Sequence, residues 1–168
     1  LQDGDLVGLI GFESQVHVLF EPKVADGGTK DKLRQAIRGL RARGGTNFAG
    51  GMLKAVQVIQ DLDLPPTFLK RVIMFTDGEP TEGVVDKKQI LSLLERTRGP
   101  LSMSAFGYGG SGVFGCDQEF LTTFAATAQG NYAYVQNPDD AVAAFGKEVG
   151  GLLSTYATDL ALVIEPTE

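Results

Sequence analysis

Two short segments of this 168-residue chain contain side chains that could bind a metal ion. One is Gly44-Gly45-Thr46-Asn47, and the other is the apolar run Val72-Ile73-Met74-Phe75 with its continuation Thr76-Asp77-Gly78. A threonine hydroxyl and a carboxylate both offer oxygen donors, which hard divalent cations prefer. The candidate ligands are therefore Thr46 and Asp77, and the expected cation is Mg²⁺, with Mn²⁺ or Ca²⁺ as alternatives.

Three further residues, Glu13, Ser14 and Glu79, could contribute oxygens to an outer shell, although they could equally be solvated loop residues. Thr46 could instead be the N-cap of the following helix, because a threonine hydroxyl can accept from a free backbone N–H there. Asp77 could open an Asp-Gly turn. The metal interpretation depends on Thr46 and Asp77 lying at the same edge of a sheet.

The apolar patterns alternate between strand and helix periodicity. Residues 6–12 and 16–20 form two apolar runs too close together for a helical crossover, so they predict an antiparallel hairpin. Residues 72–75, 101–108 and 131–135 are also predicted strands. Helices are predicted where apolar residues recur at helical spacing, namely Leu33, Ile37 and Leu40; Met52, Val56 and Ile59; Ile90, Leu93 and Leu94; Phe120, Leu121, Phe124 and Ala128; and Val142, Phe145, Val149, Leu152 and Leu153.

This alternation predicts an α/β fold, a three-layer, doubly wound and mostly parallel sheet with one antiparallel hairpin at its edge. The length and a hydrophobic content of 43% suit a single domain. In such sheets, ligands bind beyond the carboxyl ends of the strands. Thr46 and Asp77 are expected at that edge.

The composition argues against several classes of function. The formal net charge is -6 and the 15 Lys and Arg residues are scattered, so a nucleic-acid partner is not expected. No apolar run approaches the length of a membrane span. The glycine-rich residues 107–115 lack the Gly-Lys-Ser/Thr ending of a phosphate-binding loop.

The order of these motifs resembles von Willebrand factor type A domains. Beyond the hairpin, the resemblance rests on Gly-Gly-Thr-Asn at 44–47, Thr-Asp-Gly at 76–78, Ser-Ala-Phe-Gly-Tyr-Gly at 104–109 and the segment 131–140. It is strongest for bacterial members similar to inter-alpha-trypsin inhibitor heavy chains and calcium-activated chloride channel homologues. The resemblance implies a Rossmann-like domain over residues 1–157 that lacks its central first strand, and a strand over 158–168 that leads out of the domain.

The resemblance also implies a metal-ion-dependent adhesion site, in which Thr46 and Asp77 hold the cation and an acidic residue of a protein partner completes its shell. The first loop of such a site, Asp-x-Ser-x-Ser, has no match in this sequence, which implies weak cation binding or none. The expected function is a non-enzymatic protein-binding or adhesion module.

Two other functions stay open. One is a degenerate scaffold that acts in complex assembly without a metal, and the other is a metal-dependent hydrolase that uses Asp77. The lack of a central strand predicts self-association, or completion of the sheet by a strand from another chain. The compartment is left open, with the bacterial cell envelope or a secreted location favoured over the cytoplasm.

Overall fold

The computed structural model describes residues 2, 4–41, 43–76, 79–109 and 116–153. Its elements follow one another as β1 (Leu6–Phe12), β2 (Val16–Val24), α1 (Gly27–Arg38), α2 (Phe48–Gln60), β3 (Arg71–Thr76), α3 (Lys87–Thr97), β4 (Ser102–Tyr108), α4 (Gln118–Thr127), β5 (Tyr132–Val135) and α5 (Pro138–Leu153). This order confirms the predicted alternation of strands and helices. The strand predicted over residues 158–168 lies outside the described residues.

The strands form two hydrogen-bonded groups. β1 and β2 make the predicted antiparallel hairpin, while β3, β4 and β5 form a parallel sheet in that order. The predicted α/β class is therefore confirmed. Within the described residues, β1 and β3 are not hydrogen-bonded to each other, which is the arrangement expected when a strand between them is lacking.

Helix α2 joins the hairpin to the parallel sheet. Phe48 is fully buried, and its ring centroid lies 6.5 Å from that of Phe12 and 5.3 and 5.0 Å from those of Phe120 and Phe124. One turn later, Gly51 lies directly against the Phe12 ring, where an added Cβ would come within 2.7 Å. The hairpin and the three-stranded sheet thus share one hydrophobic core through α2.

The predicted inward face of α5 is partly wrong. Val142 is 74% exposed and Phe145 is 40% exposed, whereas Glu148 is buried. The helix therefore turns its Glu148 side toward the sheet, and a carboxylate can be buried there because it has polar partners. The side chains of Leu152 and Leu153 lie outside the described part of the structure.

The end of α1 also differs from the prediction. The helix ends at Arg38, so Leu40 lies beyond it, and both Ile37 and Leu40 are about half exposed. The physical reason is that α1 packs against β2, which among the described strands is hydrogen-bonded only to β1. This narrow two-stranded surface leaves the last apolar residues of the stripe without cover.

A polar cluster around the buried Glu148 and Ser104 anchors α5 near the amino ends of the parallel strands. Glu148 accepts hydrogen bonds from the Ser104 hydroxyl at 2.5 Å and the Asn131 amide at 2.8 Å. Its carboxylate also lies 3.3 Å from a guanidinium nitrogen of Arg71, the first residue of β3. The cluster therefore ties α5 to β3, to β4 and to the residue before β5.

In the part of the chain that the structure describes, none of the helices is both long enough and apolar enough to span a bilayer.

Candidate functional site

Residues 44–47, which we call the Thr46 loop, contact the chain just beyond both β1 and β3. The Asn47 N–H donates to the Glu13 carbonyl at 2.7 Å, one residue after β1 ends. The Thr46 carbonyl accepts from the N–H groups of Thr81 and Glu82 at 3.0 and 3.2 Å, in the segment that follows β3. The Thr46 loop therefore lies at the carboxyl edge of the sheet, as predicted.

The two glycines of this loop allow the neighbouring chain segments to approach its backbone closely. Gly44 has a φ of +57°, and an added Cβ would lie 2.6 Å from the Ser14 hydroxyl. At Gly45 an added Cβ would lie 2.5 Å from Cγ of Glu82 and 2.6 Å from the Thr81 hydroxyl. Larger residues at either position would push these side chains away from the loop.

Side-chain hydroxyls hold the Thr46 loop from both sides. The Ser14 hydroxyl accepts from the Gly45 N–H at 2.9 Å and lies 3.4 Å from a carboxylate oxygen of Glu82, to which it donates. The Thr81 hydroxyl accepts from the Thr46 N–H at 2.8 Å. The loop after β1, the Thr46 loop and the segment after β3 thus meet at one place.

The alternative that Thr46 is a helix N-cap is wrong. Asn47 is the N-cap of α2, because its side-chain oxygen accepts from the Gly50 N–H at 2.9 Å. The hydrogen bonds described for Thr46 run through its own N–H and carbonyl. Its hydroxyl is therefore not required for capping and can serve as a ligand.

The other predicted residues divide into three groups. Ser14 lies against the Thr46 loop, and so does Glu13, whose carboxylate accepts from the Ser14 N–H at 2.6 Å. The Glu79 carboxylate instead forms an ion pair with Lys87, at 3.0 Å. Asp77, the second predicted ligand, lies outside the described residues.

Two residues at this edge, Thr81 and Glu82, were not predicted. They occur in the sequence Gly78-Glu79-Pro80-Thr81-Glu82, only a few positions beyond the aspartate that the motif singled out. Polar residues directly after a predicted central strand were the available signal, because such residues collect at the carboxyl edge. Their contacts with Thr46, 35 positions earlier, could not be deduced from spacing.

A second charged group lies beside this edge, between α3 and α4. Lys87 contacts Glu79 at 3.0 Å and Asp117 at 2.5 Å, and its ammonium lies 5.8 Å from the centre of the Phe120 ring. The hydrogen bond from Lys87 lowers the pKa of Asp117 below its usual 3.8 and raises that of Lys87 above its usual 10.5. The pair therefore stays charged until the pH falls through the lowered pKa of Asp117 or rises through the raised pKa of Lys87.

The donors at the Thr46 loop suit part of a cation's shell. They are hydroxyl and carboxylate oxygens, the type of ligand that Mg²⁺ and Mn²⁺ take, and Mg²⁺ commonly keeps several waters. Within the described residues, His, Cys, Asp and Glu side chains do not form any group of three or more that could hold a metal ion. The described donors thus fit a partial shell, to which further oxygens must be added.

Comparison with known proteins identifies the family. A family model described as the von Willebrand factor type A domain matches residues 1–79. A von Willebrand factor type A structure from Catenulispora acidiphila aligns with a TM-score of 0.73, covering 88% of this chain and 33% of that chain at 17% identity. This chain contains a von Willebrand factor type A domain. The solved structure extends the shared fold well beyond the residues that the family model matches.

Two relatives fit the predicted resemblance, since one is a bacterial protein and the other is an inter-alpha-trypsin inhibitor heavy chain. The uncharacterized protein YfbK of Escherichia coli strain K12 is 26% identical over 170 residues, covering 98% of this chain and 28% of that protein. Inter-alpha-trypsin inhibitor heavy chain H1 of Sus scrofa is 35% identical over 115 residues, covering 65% of this chain and 13% of that protein. The chain thus spans less than a third of the length of either relative. Von Willebrand factor type A domains are commonly protein-interaction modules and are generally not enzymes.

Proposed function

We propose that this domain binds a protein partner through a divalent cation held at the carboxyl edge of the sheet. The observation that carries the proposal is the meeting of three chain segments at Thr46, whose hydroxyl is free of any capping role. Thr46 and Asp77 would hold the cation, and Ser14 and Glu82, whose side chains lie at the Thr46 loop, offer additional oxygens. A bound cation would supply positive charge that attracts a carboxylate of the partner.

Calorimetric titration with Mn²⁺ tests the cation site. We expect Thr46→Val to weaken Mn²⁺ binding strongly, because it removes the hydroxyl while keeping the shape of the side chain. Asp77→Asn should have the same effect through loss of the carboxylate charge. Thr46→Ser should restore binding, since it restores the hydroxyl.

Thr123→Val is the matched control, because Thr123 lies on the exposed side of α4 and its hydroxyl bonds within the helix to the Glu119 carbonyl. It should bind Mn²⁺ like the unchanged protein. Equal heats from the unchanged protein, Thr46→Val and Asp77→Asn would contradict the proposal and favour a scaffold that works without a metal. Phosphate release above a protein-free blank, lost in Asp77→Asn, would instead favour the hydrolase.

We also propose that the edges of β1 and β3 accept a further strand. Both strands run toward the Thr46 loop, since Glu13 follows β1 and Thr81 follows β3 and both contact that loop. A strand placed between them could therefore pair in parallel with β3 and end at the same edge. Backbone N–H and carbonyl groups left without partners in an apolar setting cost about 1 to 3 kcal/mol each, which favours pairing with another chain.

A further inference from the structure

Lys87 occupies a position that helix electrostatics disfavours. It is the first residue of α3, directly after the N-cap Asp86, whose carboxylate is used to accept from the Gln89 N–H at 2.8 Å; the first turn itself contains no acidic residue. A cation at a helix N-terminus is repelled by the partial positive charge of the free N–H groups. The placement of its ammonium group is set by an interaction with residues outside the helix.

That interaction is a bridge between two carboxylates from different elements. The ammonium contacts Glu79, in the segment after β3, and Asp117, the N-cap of α4. Asp117 is fixed in orientation because its other oxygen accepts from the Phe120 N–H at 2.9 Å. Lys87 thus ties the segment after β3 to the start of α4.

The same segment is held on its other side by the Thr46 loop. Two residues after Glu79, the Thr81 N–H and hydroxyl bond to the Thr46 carbonyl and N–H. Between these attachments lies Pro80, which is buried and whose ring restricts the backbone. Residues 79–82 therefore form a short, stiff connection between the Lys87 bridge and the candidate cation site.

We propose that Lys87 is a positioning residue for the cation site. By holding Glu79 against α4, it fixes residues 79–82 in the conformation in which Thr81 and Glu82 bond to Thr46. This inference rests on the proposed function, since it assigns to Lys87 a part in cation affinity. The described partners of Lys87 are Glu79, Asp117 and the Phe120 ring, so it would act on Thr46 through residues 79–82.

The test compares Lys87→Met with Lys87→Arg and Lys88→Met. Lys87→Met keeps the aliphatic stem and removes the charge, and Lys87→Arg keeps the charge. Lys88→Met makes the same charge change one residue later, at an exposed position. Two quantities are measured for each variant: the dissociation constant for Mn²⁺ by calorimetry, and the hydrogen-exchange rates of the Thr81 and Glu82 amides by NMR.

Lys87→Met is expected to raise the Mn²⁺ dissociation constant about tenfold, the size of effect seen when groups that orient metal ligands are lost. It should also speed exchange of the Thr81 and Glu82 amides, while Lys87→Arg and Lys88→Met stay close to the unchanged protein. Asp117→Asn should reproduce the effect, since asparagine keeps the N-cap and loses the charge.

A lower melting temperature in Lys87→Met, with unchanged amide exchange and unchanged Mn²⁺ affinity, would overturn the proposal and leave a simple stabilising ion pair. If the unchanged protein binds no Mn²⁺, the proposed function fails. The exchange rates still decide separately whether Lys87 positions the segment, because they are measured without the cation.

Discussion

At the scale of single residues, the candidate site depends on backbone approach as much as on ligand chemistry. Gly44 and Gly45 let Ser14, Thr81 and Glu82 come within bonding distance of the Thr46 loop. A hydroxyl and a carboxylate become useful ligands only when they are held in a fixed arrangement. The glycine pair is therefore part of the site even though it offers no side-chain donor.

Gly44→Ala should lower the free energy of unfolding by about 2 kcal/mol, and it should weaken Mn²⁺ binding. Part of the loss is the strain of placing alanine at a positive φ, roughly 1 to 2 kcal/mol, and the rest is displacement of Ser14. Gly99→Ala is the matched control, because Gly99 has almost the same φ, +58°, and an added Cβ would meet only the Gln60 amide nitrogen, at an ordinary contact distance of 3.9 Å. Urea unfolding of both variants measures the difference; equal losses and equal Mn²⁺ affinity would contradict a role for the close approach.

At the scale of elements, residues 137–153 show how far the sequence could predict the structure. Asn137 and Pro138 correctly marked the beginning of α5, since the Asn137 side chain accepts from the Asp140 N–H at 3.0 Å. The apolar spacing gave a partly wrong inward face, because Val142 is exposed and Phe145 is covered only in part, by the Phe75 ring. Arg71, Ser104 and Asn131, the partners that make Glu148 a buried residue, lie in three distant parts of the chain, and one sequence gives no sign that they converge.

The strongly periodic elements were easier to predict. The predicted apolar stripes of α2, α3 and α4 all contribute to one hydrophobic core, in which Ile59 and Leu93 are only partly buried. Thr46 was placed at the correct edge because an edge position follows from the order of strands alone. Thr81 and Glu82 were missed because their role comes from hydrogen bonds across the fold.

Glu148 should stabilise the attachment of α5. We expect Glu148→Ala to lower the free energy of unfolding by about 3 kcal/mol, because removing one partner of a buried ion pair leaves the other charge without compensation. Lys147→Ala, a change at the exposed neighbouring position, should alter it by less than about 0.5 kcal/mol. Chemical denaturation followed by circular dichroism measures both, and a loss for Glu148→Ala as small as that of the control would show that α5 does not depend on the cluster.

At the scale of the whole molecule, the arrangement of strands leaves apolar surface beside the edge of β3. Met74 is buried as predicted for a central strand, but Phe75 is 42% exposed even though its ring stacks on Phe106 and Phe145. An exposed strand edge with an apolar side chain beside it favours pairing with another chain. Phe75 is the residue that a further strand between β1 and β3 would be expected to cover.

The isolated 168-residue chain is therefore expected to associate as its concentration rises. Phe75→Lys should shift it toward the monomer, because a charge beside the edge of β3 opposes strand pairing. Val142→Lys makes the same change at a more exposed apolar residue on α5 and should leave association unaltered.

Light scattering across a concentration series measures the mass of each protein, and thermal melts confirm that each variant is folded. A monomeric wild-type chain with a cooperative melt would show that these edges are already satisfied, and equal shifts for both variants would place the contact elsewhere.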